Sequence, residues 1–432
     1  MVPRLLRPLT MLSREERSWV LYDAGNSAYS LIVVTVMFPL YFKGTVALTL
    51  PPADATAYWG YANAGAALVL ALISPLLGPL ADMRGGKKPL FALFFLVGVV
   101  ATALLAIPLE GAWLWALGIF VLSRIGWGGS SFFYDSFLVD VSAPKRMHDV
   151  SSRGYAYGYI GGTVPFLALV VWLFATGGEG IPPHIARAGF LLSALWWALF
   201  TVPMLRHVGQ RYARPRSARP LRRSLEQLLR TLRTARRRRD AFLFLIAYFF
   251  YIDGVDTIIA MAAAYGVDAG LGAGTLVGAI LMIQIVAFPC AILYGRYATR
   301  YSARPLILTA IAVYLLITLI AFFLPDVAGP TGRAVLFWVL SFLVATSMGG
   351  VQALSRSLFA RLIPADRSAE FFGLFNIMGR FAAIMGPFLM GVVASLAGHS
   401  RWGVVPIAFL FIIGAGFLLS VREPVASGPL IE

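Results

Sequence analysis

Charge is what this chain has least of. Asp, Glu, Lys and Arg make up 13% of its 432 residues, against about 25% in an ordinary soluble domain. So few charges cannot clothe the surface of the two or three soluble domains that the length would otherwise suit. Cysteine is nearly absent. Cys290 stands alone, which excludes an intramolecular disulfide, and its apolar surroundings mark a packing residue. Histidine occurs only as His148, His184, His207 and His399, and no His/Cys cluster has metal-site spacing. Also missing are a Walker loop, a Gly-x-Ser-x-Gly elbow and any zinc motif. No enzyme, no resident cofactor and no ATP-driven pump is expected. The polar/apolar alternation of barrel strands is lacking too.

What is present is apolar sequence: 59% of the residues are hydrophobic. A membrane-crossing helix needs about 20 mostly apolar residues. Candidate spans lie at 18–42, 57–81, 89–107, 112–140, 153–176 and 186–205. A second set lies at 241–265, 272–295, 305–324, 334–360, 370–397 and 403–421. Helices are required because lipid cannot satisfy backbone polar groups. The segment 1–17 lacks the apolar core and cleavage site of a signal peptide. Ser13 and Glu16 have capping-box spacing, and a short amphipathic helix on the membrane surface is expected before the first span.

The net charge of +16 raises nucleic acid as a partner, but its distribution argues otherwise. With the N-terminus placed in the cytoplasm, four of the 36 Lys and Arg fall in outer loops (Lys43, Arg187, Arg333 and Arg401) and two, Arg124 and Arg380, inside spans. All the rest fall in cytoplasmic segments, as the positive-inside rule demands of both termini inside and an even number of helices. That fits a bacterial inner membrane. The linker 206–240 carries thirteen Arg and no Lys. It reads as a topology anchor between two six-helix halves, 18–205 and 241–421, lying against anionic lipid at about 1 kcal/mol per basic residue. A tail follows at 422–432.

The halves repeat. Gly78, Asp82, Arg84, Gly85, Lys87, Lys88 and Pro89-Leu90 follow span 2, and Gly295, Thr299, Arg300, Arg304 and Pro305-Leu306 follow span 8. Ser136…Asp140…Pro144-Lys-Arg146 ends span 4, and Ser357…Arg361…Pro364…Arg367 ends span 10. Parallel halves related by an axis along the membrane normal are implied.

The loop Gly78…Asp82-x-Arg84-Gly85-x-Lys87-Lys88 resembles the loop 2–3 motif of the major facilitator superfamily, with Thr299 replacing the acid in the second copy. Trp19-Val-Leu-Tyr22-Asp23-Ala-Gly25-Asn26-Ser27, Tyr251-Ile-Asp253-Gly254, Gln352-Ala-Leu-Ser355-Arg356-Ser357 and Glu370-Phe-Phe-Gly373 are similar to its "unknown major facilitator" branch, which contains the vacuolar amino-acid effluxer of autophagy. The resemblance implies an all-α, twelve-helix transporter. It also implies a charge lock between the halves at Asp82, Arg84, Lys87 and Lys88; simple positive-inside anchoring is the alternative.

Ionisable groups inside spans are expensive and mark function. Asp23, Arg124, Asp135, Asp253, Asp256 and Arg380 qualify, with the amides Asn26 and Gln352. At 1.5 Å rise per residue, Arg124 and Arg380 sit roughly 15–18 Å from their helix ends, near the midplane. Arg124 has the planar fork that binds a carboxylate, while Asp23 or Asp253 could take an ammonium. The alternative for Arg124 is an ion pair with Asp23 or Asp135. Asp253 and Asp256 share one helix face. Carboxylates that close repel when both are charged, which suits proton coupling; neutralising Arg380 or Arg124 is the competing role. Gly25 after Asp23 and Gly254 after Asp253 point to a loosened turn or to close packing. The expected function is secondary transport of a small solute by a monomer, with an amino acid or other zwitterion exported and protons as the coupling ion. Lipid transport by the same fold and a non-transporting scaffold or receptor are the alternatives.

Overall fold

The computed structural model describes residues 9–107, 110–176, 181–215, 238–268, 270–327 and 329–424. Twelve of its helices are long and apolar enough to cross a membrane. They are α1 Arg14–Val46, α2 Pro52–Ala81, α3 Lys87–Leu104, α4 Trp113–Ser136, α5 Met147–Thr176 and α6 Pro183–His207. The second six are α7 Arg239–Asp268, α8 Ala273–Arg300, α9 Ala303–Phe323, α10 Pro330–Leu362, α11 Ser368–Ala397 and α12 Arg401–Leu419. Each expected span has its helix, and the chain is an all-α, multi-pass integral membrane protein. Most of the Arg-rich linker, and with it the expected lipid contact, lies outside the described residues.

The packing pattern of one half repeats in the other. In the first, α1 packs on α5 and α6, α2 on α4, and α3 on α4 and α6. In the second, α7 packs on α11 and α12, α8 on α10, and α9 on α10 and α12. The halves meet reciprocally, α2 against α11 and α5 against α8. This is the pseudo-twofold arrangement of the major facilitator fold. Glycines set the closest approaches. A Cβ on Gly126 of α4 would lie 2.2 Å from the backbone nitrogen of Gly98 on α3. Both backbones touch there because neither residue has a side chain.

One local expectation is corrected, and one choice between two is decided. Ser13 does form the capping box, with Glu16 N donating to Ser13 Oγ at 3.1 Å and Ser13 N donating to the Glu16 carboxylate at 2.9 Å. Yet the helix it starts is α1 itself, not a separate surface helix. Only a single turn, Leu9–Met11, precedes it among the described residues. Glu16 is buried and pairs with Arg146 at 3.0 Å, which ties the first turn beneath the loop between α4 and α5. Nor does the helix loosen at the glycines. Gly25 is where Phe200 Cβ would come within 2.8 Å of an added Cβ, and Gly254 is where the Phe411 ring would come within 2.7 Å. Both glycines serve packing. The loosening in α1 comes later, as π-helix over Tyr29–Met37 and Phe42–Val46. There Pro39 withholds an N–H and crowds the preceding turn, and a β-branched run from Ile32 to Val36 is stiff at χ1.

Candidate functional site

All the turns 82–86, 142–146, 301–302 and 363–367 lie at one end of the bundle, here called the basic end, together with the described chain ends. From this end inward, the interface between the halves is built of polar layers.

The outermost layer is the loop 2–3 motif. Asp82, fully buried, accepts from the backbone N–H of Ala369 at 2.9 Å and of Glu370 at 2.8 Å. It thus caps the N-terminus of α11 in the opposite half, satisfying two otherwise orphaned donors. Gly78 makes the approach possible, since a Cβ there would meet Glu370 Cα at 2.8 Å. Burial pushes the Asp82 carboxyl up to about 7, against the opposing pull of Lys87 and of the two N–H groups. Lys87, also fully buried, spends its three donors on Asp140 (2.6 Å), the Ser136 carbonyl (3.3 Å) and Ser368 Oγ across the interface (2.9 Å). A buried ammonium is tolerable when every proton is used in this way. Asp140 completes its shell with the N–H groups of Arg211 and Tyr212. Arg84 N–H donates to the Arg214 carbonyl, and Gly85 N–H to Gln210. Lys88 stays half-buried with no cross-half bond among the described residues. The motif therefore joins the halves through Asp82 and Lys87.

Beside it, Glu423 beyond α12 gathers Ser302 Oγ, the N–H groups of Ala303 (2.9 Å) and Arg304 (3.2 Å), and Arg361 (2.8 Å). His148 of the first half lies 3.4 Å away and contacts Ser357 of the second at 2.8 Å. Burial alone would raise the Glu423 carboxyl, but the bonds from His148, Ser302 and Arg304 N outweigh it and hold it down at about 2.

The next layer turns on Arg356, about 9 Å inside the end of α10 at 1.5 Å per residue. Its guanidinium reaches Asp23 at 3.4 Å, Asp135 at 3.1 Å, and Ser151 Oγ and O at 2.9 Å each. The rings of Trp19, Tyr134 and Tyr155 enclose it at 4.7, 5.3 and 4.4 Å. Tyr134 O–H also donates to Asp23 at 2.9 Å. Every partner belongs to the first half. Sequence reasoning counted Arg356 with the basic turn, although it falls within the apolar run 334–360. That position inside a span was the available signal.

Deeper still, Tyr159 O–H donates to Gln352 at 3.3 Å. Arg124 lies over the Trp127 ring at 5.0 Å. Arg380 crosses to α4, where a Cβ on Gly128 would fall 2.3 Å from its Nη2. Asp253 accepts from Gly386 N–H at 2.7 Å, and its second oxygen is buried without a partner. Asn26 reaches Ser131 at 3.4 Å. Asp256 is half-buried. Two expected pairings are thereby corrected. Among the described residues Arg124 pairs with neither Asp23 nor Asp135; both acids sit at Arg356, and Asp135 lies about 16 Å from Arg124 along the same helix. Asp253 and Asp256 form no ion pair with Arg380 or Arg124 among the described residues.

A family model described as "Vacuole effluxer Atg22 like" matches residues 139–426. The chain is 43% identical over 415 residues to an MFS-type transporter, YxiO, of Bacillus subtilis, covering 95% of each protein. It is 29% identical over 309 residues to autophagy-related protein 22-1 of Phaeosphaeria nodorum, a match spanning 63% of this chain and 54% of that one. In structure it resembles the human organic anion transporter MFSD10, with a TM-score of 0.74, 15% identity and coverage of 95% and 100% of the two chains. Its relatives and fold neighbours are transporters rather than enzymes. With the halves, the loop 2–3 motif and the buried interface charges in place, the chain belongs to the Atg22-like family of major facilitator transporters.

Proposed function

We propose that this transporter is a secondary carrier of a small zwitterionic solute, an amino acid before others, exporting it by alternating access. The basic end is then the cytoplasmic face, and the structure is the state closed on that side. One observation carries the reading. Among the described residues, the cross-half polar contacts run from the basic end to the level of Gln352 and stop there, while the charges beyond, Arg124, Arg380 and Asp256, keep accessible surface and no ion pair or hydrogen bond. A gate on one side and unpaired charges past it are what a rocking carrier needs. Asp253, with one buried oxygen unbonded, and Asp256 three residues on supply carboxylates for the ammonium or for a coupled proton. The family description, a vacuole effluxer, supports export.

Proteoliposomes loaded with labelled amino acids test this. Efflux that an imposed pH gradient accelerates, and that Asp256→Asn uncouples, supports the reading. Absence of movement of any amino acid, with lysolipid moved instead, removes it.

A further inference from the structure

Two half-buried arginines converge across the interface without an ion-pair partner among the described residues. Arg124 lies on the face of α4 that carries Phe120 and Gly128, one turn to either side, and both of those are buried. Gly128 is where Arg380 arrives from the opposite half, against Leu70, whose Cδ1 would be 2.6 Å from a Cβ at that position. Gly128, which the Arg380 guanidinium touches, lies about one helical turn, roughly 6 Å, from Arg124 along α4. The Nε of each is buried with no hydrogen-bond partner. No carboxylate is within ion-pair distance of either among the described residues; three of the span acids are engaged elsewhere, while Asp256 and one oxygen of Asp253 stay unbonded on α7. Asp23 and Asp135 hold Arg356, and Asp253 holds Gly386 N–H.

Unpaired charge in a membrane interior is costly and is kept where it is used. Two like charges in a low dielectric also repel. A guanidinium presents parallel N–H donors that fit the oxygens of a carboxylate or phosphate. Both side chains retain accessible surface, so an ion can reach them. We infer that Arg124 and Arg380, one from each half, form a single anion subsite that takes the carboxylate or phosphate group of the transported solute. The inference rests on the carrier reading above and names the group the site would grip. Because the occupant bridges the halves, it replaces a repulsion between α4 and α11 with a shared counter-ion.

The test is ligand-induced stabilisation of the full chain in lipid nanodiscs, followed by calorimetry. The probes are L-alanine, alanine methyl ester, succinate and inorganic phosphate. Alanine, succinate or phosphate should raise the melting temperature, and the ester should not. The acids distinguish a carboxylate site from a phosphate site. Arg124→Gln and Arg380→Gln should each weaken binding at least tenfold, with Arg124→Lys between, since it keeps the charge and loses the fork. Neither Gln variant should melt much lower than wild type when empty, because each removes a charge that has no paired carboxylate among the described residues. An ester that binds as tightly as its acid, unchanged affinity in both Gln variants, or no probe bound by wild type would each overturn the subsite. Transport is scored separately in proteoliposomes. Wild type and the double Gln variant moving a solute equally well sinks the subsite alone. A bound acid that wild type never moves sinks the carrier reading alone.

Discussion

Replacing Arg356 with Gln tests whether the polar layers hold a state or merely the fold. The side chain is 3% exposed and satisfies Asp23, Asp135 and Ser151 of the opposite half. Removing one partner of a buried ion pair costs about 3–5 kcal/mol, because the remaining charges stay buried and unpaired. The three enclosing rings add roughly 0.5–2 kcal/mol each as cation–π contacts. Within each half nothing is cut, so the loss falls on the arrangement that brings the basic ends together. Even ~3 kcal/mol shifts such an equilibrium by on the order of 100-fold. Spin labels at Lys145→Cys and Arg300→Cys, exposed on opposite halves at the basic end, in a Cys290→Ser background, report the separation. Arg356→Gln should populate a longer distance that wild type lacks. Adding Asp23→Asn and Asp135→Asn should restore much of the shorter one, since the stranded charges are then gone. A distance distribution identical to wild type, with a lower melting temperature, would refute the reasoning and make Arg356 a fold-holding residue.

Three further outcomes are expected. Asp82, raised to about 7, binds its proton more tightly in the folded state than in the unfolded chain, where a carboxylate titrates near 3.9. Its contribution is therefore full below pH ~4 and lost as pH rises through about 7. The same label pair should open with rising pH in wild type and lose that dependence in Asp82→Asn. Glu423, held at about 2, acts in the opposite sense. Its contribution is present above its ordinary value near 4.3 and disappears as pH falls toward 2, so the melting gap between wild type and Glu423→Gln should be constant at neutral pH and close in acid. Gly126→Ala would drive a methyl into the Gly98 backbone at 2.2 Å. Backbone cannot swing aside, so detergent melts should fall by more than the ~1–3 kcal/mol usual for overpacking, while Gly128→Ala, which meets only side-chain ends, should cost less.

The architecture was legible because lipid imposes it. Twelve apolar runs, the swing of Lys and Arg to one side and the paired turns at Asp82 and Thr299 follow from composition and order along the chain, and the helices stand where those signals put them. The role of Asp82 was half legible. Its motif marked a link between the halves, but that its partner is the bare N-terminus of α11 depends on where Ala369 and Glu370 come to rest. Which charge pairs with which was not legible at all. Asp23, Asp135 and Arg356 are separated by up to 333 positions, and residues so far apart meet only after three helices from two halves pack. Hydropathy treats every arginine alike, so it cannot rank Arg356, enclosed by three rings and two carboxylates, above Arg124, which has one ring, and Arg380, neither of which has a paired carboxylate among the described residues. The sequence by itself determined what enters the membrane and where it turns. The tertiary structure alone decided which buried charges are satisfied, because satisfaction is a matter of distances of 3 Å between segments the chain does not place side by side.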